Sequence, residues 1–217
     1  KQPLNTWCVG KIKSEPFQFD GSSDWLQKDK PIWGESCEQK FYLHENGVTC
    51  LCPNAYVGRS GVINGVLYTK RIREQITPEN ASTTCTSGIT DLRGMFKDRI
   101  YFNGDISSWD VSMVTNMSEI FFGAKSFNQP LSNWDVSSVI YMGKMFSGAS
   151  VFNQSIENWN VSNVTNMSNI FSGAKAFNQP LNNWNVSNVG DMQSFFEGAS
   201  SFNQPIGNWN VSNVANM

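Results

Sequence analysis

The sequence predicts an α/β solenoid, and three observations carry that expectation. From Arg93 to Met217 a 25-residue unit is written five times without insertion or deletion, with copies beginning at Arg93, Ser118, Gly143, Ser168 and Gln193. A fixed period of this length marks a stacked repeat protein, in which each unit buries its apolar face against its neighbours. Within the unit, one half has a helical period and the other alternates like a strand. Finally, all five cysteines (Cys8, Cys37, Cys50, Cys52 and Cys85) precede the repeats, so a small disulfide-braced, mainly β region leads into them.

Aligned, the copies form columns. One Trp column runs from Trp109 to Trp209, and two Phe columns run from Phe96 to Phe196 and from Phe102 to Phe202. A Met column runs from Met117 to Met217, Val columns begin at Val111 and Val114, and a Leu/Ile column begins at Ile106. Stacked rings and aliphatic chains interdigitate with their own copies one layer away, so these columns are expected to be the interior. An Asn column, Asn103 to Asn203, follows the second Phe. Set beside core aromatics, it suggests a ladder in which each amide bonds to the next turn's backbone or amide and satisfies loop carbonyls.

After each Trp comes Asp-Val-Ser or Asn-Val-Ser, residues suited to capping a helix start. Val139, Met142, Met145, Phe146 and Ala149 then lie on one face of a 3.6-residue period, which predicts a short helix. Gly123, Gly148, Gly173 and Gly198 are placed to end it. The other half, Phe127 to Trp134 in the clearest copy, has apolar residues at alternate positions and predicts a short strand. Pro130, Pro180 and Pro205 place the start of that strand at or just after them. One strand and one helix per unit is the layout of a leucine-rich-repeat-like solenoid, about 24 Å long at ~4.8 Å per strand.

Three regions follow. Residues 1–45 form a small loop-rich unit whose aromatics, among them Trp7, Trp25 and Trp33, suit either a small core or a glycan-binding cluster. Residues 46–90 form a β-hairpin cap or linker module, with Val62-Ile63-Asn64-Gly65-Val66-Leu67 turning at Asn-Gly and a short helical turn within 69–75. The hairpin is expected to cover the open apolar end of the first repeat. Residues 91–217 form the solenoid, and the lack of a polar cap at its last copy predicts a natural chain that continues further.

The chain of 217 residues carries a net charge of −2, so no bulk attraction to nucleic acid or anionic membrane is expected. No apolar run approaches 18 residues, which predicts a protein that does not span a membrane as a helix. The cysteines read as disulfides of an oxidising compartment. The pairing taken here is Cys52 with Cys85 and Cys8 with Cys37, which leaves Cys50 over, and other connectivities stay open. With His44 the only histidine, a Ser-His or Cys-His relay has one poor candidate base. Calcium at Asp110 and Asp135 is chemically conceivable, but the same column becomes Asn160, Asn185 and Asn210, and capping explains it better. No cofactor, metal or catalytic residue is implied.

The repeat F-N-Q-P-L-S-N-W-D-V-S-S-V-x-x-M-x-x-M-F-S-G-A resembles that of the bacterial surface protein A-like leucine-rich-repeat family across residues 87–217. The stretch Glu45 to Arg71 looks like the linker module that precedes such repeats. This resemblance implies a secreted or cell-surface location on the outer face of a bacterial envelope, and adhesion or protein binding. It brings no catalytic residues.

The function expected is therefore a non-enzymatic interaction module with a host, matrix or cell-envelope protein as partner. The candidate partner-facing residues lie in columns that vary between copies. One column holds Ser132, Glu157 and Asn182, and another holds Tyr141, Asn166 and Asp191. The alternatives are a structural stalk or passenger of a secretion assembly, or glycan binding by the N-terminal aromatics.

Overall fold

A computed structural model describes residues 40–217 and, ahead of them, two short strands, β1 (Cys8–Val9) and β2 (Ile32–Trp33), paired in parallel. The other sequence expectations for residues 1–39, including the Cys8–Cys37 pairing and the aromatic cluster, lie outside the described residues.

Residues 40–90 are built from short strands. β3 (Tyr42–Leu43) pairs antiparallel with β4 (Cys50–Leu51) across a turn in which Asn46 Oδ1 accepts the N–H groups of Val48 and Thr49, both at 3.0 Å. β5 (Ser60–Ile63) and β6 (Val66–Lys70) form a hairpin. Its turn residues, Asn64 and Gly65, have φ of 49° and 81°, the left-handed pair that a two-residue hairpin needs. β7 (Thr84–Cys85) joins β6 in parallel on the far side. Cys52 and Cys85 are disulfide-bonded, and Cys50 is a buried free thiol. These cysteines pack with Ala55 and Ile63 in a small core of their own.

The hairpin therefore does not cover the first repeat. Ile63 and Tyr68 of the hairpin pack with the cysteine core while Val62, Val66 and Leu67 are exposed, and the cover comes from the segment after it. Ile76 and Ala81 belong to the repeat core, and the Ala81 carbonyl accepts the indole N–H of Trp109 at 2.9 Å. Thr86 Oγ1 donates to the Asp110 carbonyl at 2.9 Å, and the Cys50 N–H donates to the Ser108 carbonyl at 2.8 Å.

From residue 91 onward the copies lie side by side in register. Asp91, Asn116, Tyr141, Asn166, Asp191 and Asn216 are joined by successive parallel bridges, each residue to its counterpart 25 positions on. The second Phe column stacks Phe102, Phe127, Phe152, Phe177 and Phe202 with centroids 5.7–6.0 Å apart. The Trp rings from Trp109 to Trp184 follow at 6.3–6.5 Å. Each buried indole N–H is satisfied by a carbonyl one layer back, as Trp134 is by Ile106 at 3.1 Å and Trp159 by Leu131 at 3.0 Å. One continuous core runs from Ile76 to Phe195.

Several local expectations differ from the structure. The segment 139–149 buries the expected residues, yet no α-helix forms among the described residues. The N–H groups of Met142, Lys144, Phe146 and Gly148 donate to carbonyls of the next repeat at 2.7–3.0 Å. Between them Met145, Ser147 and Ala149 donate three residues back, at 3.0–3.2 Å. Lys144 and Gly148 have φ of 58° and 73°, so the backbone turns out of a helical path at each. Pairing between layers has replaced pairing along the chain, and the resulting chain of tight turns places side chains at nearly helical spacing.

The segment Phe127–Trp134 forms no strand either. The one parallel bridge per repeat lies at the Asn116 column instead. The Asp/Asn residues after Trp do bond two residues ahead, as Asp135 Oδ1 does to the Ser137 N–H at 3.0 Å, but they close turns rather than cap helices. The Asn ladder runs to the next turn's backbone as expected, but through its N–H groups. Asn103 Oδ1 accepts the Asn128 N–H at 2.9 Å, and the same bond recurs up the stack, so the amides satisfy backbone donors rather than loop carbonyls.

Candidate binding surface

The bridge column lies at the surface, flanked by buried neighbours. Val114 and Met117 are fully buried while Asn116 between them is half-buried, and Val139 and Met142 bracket Tyr141 in the same way. Tyr141 is 49 % exposed, the largest side chain the column presents. On either side of it the backbone is occupied by pairing between layers. The Ile140 N–H donates to the Thr115 carbonyl at 2.8 Å, and the Met142 N–H donates to the Asn166 carbonyl at 3.0 Å. The side chains of this column are thus held at about one strand spacing by a backbone whose pairing is the same in every copy.

An open groove of about 370 Å³ lies along this column. Asn116, Tyr141 and Asn166 line it, with Arg93, Ser118, Glu119, Gly143, Lys144 and Ser168 from the first two positions of successive copies. Where the column holds Asn, the side chain closes a turn. Asn116 Oδ1 accepts the Ser118 N–H at 3.0 Å, and Asn166 Oδ1 accepts Ser168 N–H and Oγ–H at 3.1 and 2.8 Å. In the copy that holds Tyr141 no such turn forms, and the residue two positions on is Gly143. A Cβ on Gly143 would come within 2.8 Å of Asn166 Oδ1. The glycine leaves room for the Asn166 side chain beside the tyrosine.

The charges of the groove are uneven. Glu119 pairs with Lys97 at 2.5 Å. That hydrogen bond, with the charges of Lys97, Arg93 and Lys144 around it, holds the Glu119 carboxyl below its ordinary range against a smaller opposing effect of desolvation. With Glu119 paired to Lys97, Arg93 and Lys144 are left as the net charge of the groove. Glu119 and Lys144 both stand at left-handed positions, with φ of 61° and 58°.

Of the candidate residues, the structure brings Tyr141 and Asn166 together in this groove. Asp191 continues the row and accepts from Asn166 Nδ2 at 3.2 Å. Ser132, Glu157 and Asn182 lie in a separate column outside the groove. Ser132 and Asn182 are exposed and Glu157 is half-buried, its carboxylate accepting from Asn183 Nδ2 at 3.1 Å. Arg93, Glu119 and Lys144 did not emerge from the sequence as candidates. The signal for them was present, since the first two positions of each copy read Arg-Gly, Ser-Glu, Gly-Lys, Ser-Asn and Gln-Ser. Among the described residues no group of His, Cys, Asp and Glu is arranged to hold a metal, and no helix is long and apolar enough to cross a membrane.

No curated protein and no solved structure matches the chain. The family described as "Mycoplasma protein of unknown function, DUF285" matches residues 69–168 and 138–217. These spans overlap and together take in well over half of the sequence, and the chain belongs to this bacterial repeat family.

Proposed function

We propose that this protein is a non-enzymatic extracellular or cell-surface module that acts by adhesion or protein binding, through the exposed face of its repeats. The reading treats the repeats as a leucine-rich-repeat-like solenoid of the bacterial surface protein A-like kind, with residues 46–90 as its leading module. The observation that carries it is the contrast within one column. The backbone pairing is the same in each layer, while the side chains facing solvent change from Asn116 to Tyr141 to Asn166 to Asp191. A scaffold that holds variable side chains in fixed register suits recognition by surface.

Location outside the cytoplasm is supported by the Cys52–Cys85 disulfide, a bond characteristic of oxidising compartments. The non-enzymatic reading is supported by the state of the best candidate groups. His44 Nδ1 accepts the Asn46 N–H at 3.2 Å within a turn, and the free Cys50 is buried.

The test is binding of the whole chain to a panel of purified extracellular-matrix and cell-envelope proteins, measured on a biosensor. Micromolar binding to at least one of them is expected. A flat response across the panel at tens of micromolar counts against the reading. A spacer role is the second reading, favoured by the uniformity of the interior columns. It would gain if a protein partner bound with the same affinity after Tyr141 and Lys144 were both replaced by Asn.

A further inference from the structure

We propose that the groove around Tyr141 recognises an acidic saccharide, with a sugar ring against Tyr141, one carboxylate on Lys144 and a further acidic group reaching Arg93 two layers away. The proposal rests on the surface-binding reading above and names the chemistry of one ligand for that surface.

The first argument is the balance of donors and acceptors. The Asn116 and Asn166 carbonyl oxygens are turned inward, because each accepts a backbone N–H. A backbone N–H can only donate, so it fixes which end of the amide faces it and leaves the NH₂ pointing away. The Arg93 guanidinium, the Lys144 ammonium, the Tyr141 hydroxyl and the Asn116 amide nitrogen donate no hydrogen bond among the described residues, and the Arg93 and Lys144 charges act on the Glu119 carboxylate. The Asn116 and Asn166 amide oxygens are spoken for and Asn166 Nδ2 is taken by Asp191, while the donors of Arg93, Lys144, Tyr141 and Asn116 are open. A complementary ligand is rich in acceptors and negatively charged.

The second argument is a contrast with the other groove, lined by Lys70, Arg71 and Arg73. It is at least as basic, yet its cations are already used. Lys70 Nζ donates to the Cys52 and Pro53 carbonyls at 2.9 and 3.0 Å. Arg71 donates to the Thr83 carbonyl and Thr84 Oγ1 at 3.1 and 2.9 Å, and Arg73 to the Arg93 carbonyl. Those cations hold the leading module to itself and to the first repeat. Arg93 and Lys144 hold no carbonyl in this way, and what engages them is the Glu119 charge.

The third argument separates a saccharide from an acidic peptide. Peptides gain affinity by pairing with free backbone, by sinking apolar anchors into pockets or, when acidic, on clusters of arginines, and this groove is lined by one arginine. The amides of Ile140 and Met142 beside Tyr141 are taken by neighbouring layers, and the groove is open, without a deep apolar cleft. What it offers is the half-exposed Tyr141 side chain, with the Asn116 amide about one strand spacing to one side and Lys144 three residues on. That suits a flat ring with hydroxyls at its edge.

The test is a titration of the full-length chain with a hyaluronan hexasaccharide, whose charges are carboxylates, followed by calorimetry or NMR at low salt. A neutral N-acetylglucosamine hexamer and a hexaglutamate peptide serve as comparisons. The expected result is a hyaluronan Kd of about 1 mM or tighter. Tyr141→Ala is expected to weaken it about tenfold, and Arg93→Ala and Lys144→Ala about fivefold each. Glu119→Gln removes a repelling charge and is expected to tighten binding. Unchanged thermal melting of each variant shows that the fold is intact.

No response to hyaluronan at about 10 mM overturns the proposal. So does equal binding of the neutral hexamer, or hexaglutamate binding that is tighter and indifferent to Tyr141→Ala. A chain that binds a matrix or envelope protein but no saccharide leaves the surface-binding reading standing and ends this inference alone.

Discussion

Asn153 Oδ1 accepts the Asn178 backbone N–H at 3.0 Å, while the Asn153 backbone N–H donates to Asn128 Oδ1 at 2.9 Å. Each asparagine therefore links three layers, and Gln179 Nε2 adds a donor to the same oxygen at 3.0 Å. Asn153→Ala leaves one N–H without its partner in the ladder and is expected to cost about 1 kcal/mol. Asn153→Asp keeps an acceptor in place and is expected to cost clearly less. Urea denaturation of the two variants side by side checks the order.

The Trp column makes the same kind of link in the interior, where water cannot substitute. Trp159→Phe keeps most of the ring but removes one of the two N–H groups on the Leu131 carbonyl, the indole at 3.0 Å, and leaves the Trp134 backbone N–H at 3.1 Å. The expected loss is about 1–3 kcal/mol, from one buried hydrogen bond plus a small cavity. Thermal melting measures it, and a loss near zero would mean that the bond contributes little.

Backbone conformation separates two neighbouring positions. Gly148 has φ of 73°, and an added Cβ would meet Gly123 backbone at 3.5 Å, an ordinary contact. Gly148→Ala is therefore expected to cost about 1–2 kcal/mol through conformation rather than clash. Lys144 occupies the left-handed region with a side chain, so Lys144→Gly is expected to leave stability unchanged or raise it by up to about 1 kcal/mol. Opposite signs for these substitutions in chemical denaturation would be the signature.

Cys50 gives a prediction in pH. Burial, helped by the nearby Asp110 charge, pushes its thiol up to about 12 from 9.0. The folded state thus favours the protonated thiol, and the stability this contributes is complete below pH 9.0 and is lost as pH rises toward about 12. Cys50→Ala is expected to flatten the fall in stability over that window. At pH 8 iodoacetamide is expected to label Cys50 only after unfolding. Rapid labelling of the native protein would contradict the buried, neutral thiol.

The parts of this structure that were legible in the sequence are those fixed by side-chain identity. The Trp159, Phe146 and Met142 columns could be read as interior because apolar rings repeat only where they stack. The Asn64-Gly65 turn could be read because few other pairs tolerate two left-handed residues. The backbone path of 139–149 was not legible. Its apolar spacing is shared by a helix and by a run of tight turns, and only the partners of the N–H groups tell them apart. Those partners lie 24 residues away, as Ser168 does from Lys144. The groove was half legible for a similar reason. Tyr141 and Asn166 stood out as variable positions, whereas Arg93 and Lys144 converge on them only once three layers are stacked.

The most direct test of the surface-binding reading is the double variant Tyr141→Asn, Lys144→Asn. It gives positions 141 and 144 the residues found 25 positions on, Asn166 and Asn169, the latter at φ 55°. The backbone is therefore expected to accept the change, and melting is expected to stay within about 0.5 kcal/mol of the parent in stability. Binding to the extracellular protein that the parent recognises is then measured on the same biosensor. Recognition through this groove requires affinity to fall at least tenfold, about 1.4 kcal/mol, with the fold intact. Full binding by the folded variant would contradict it.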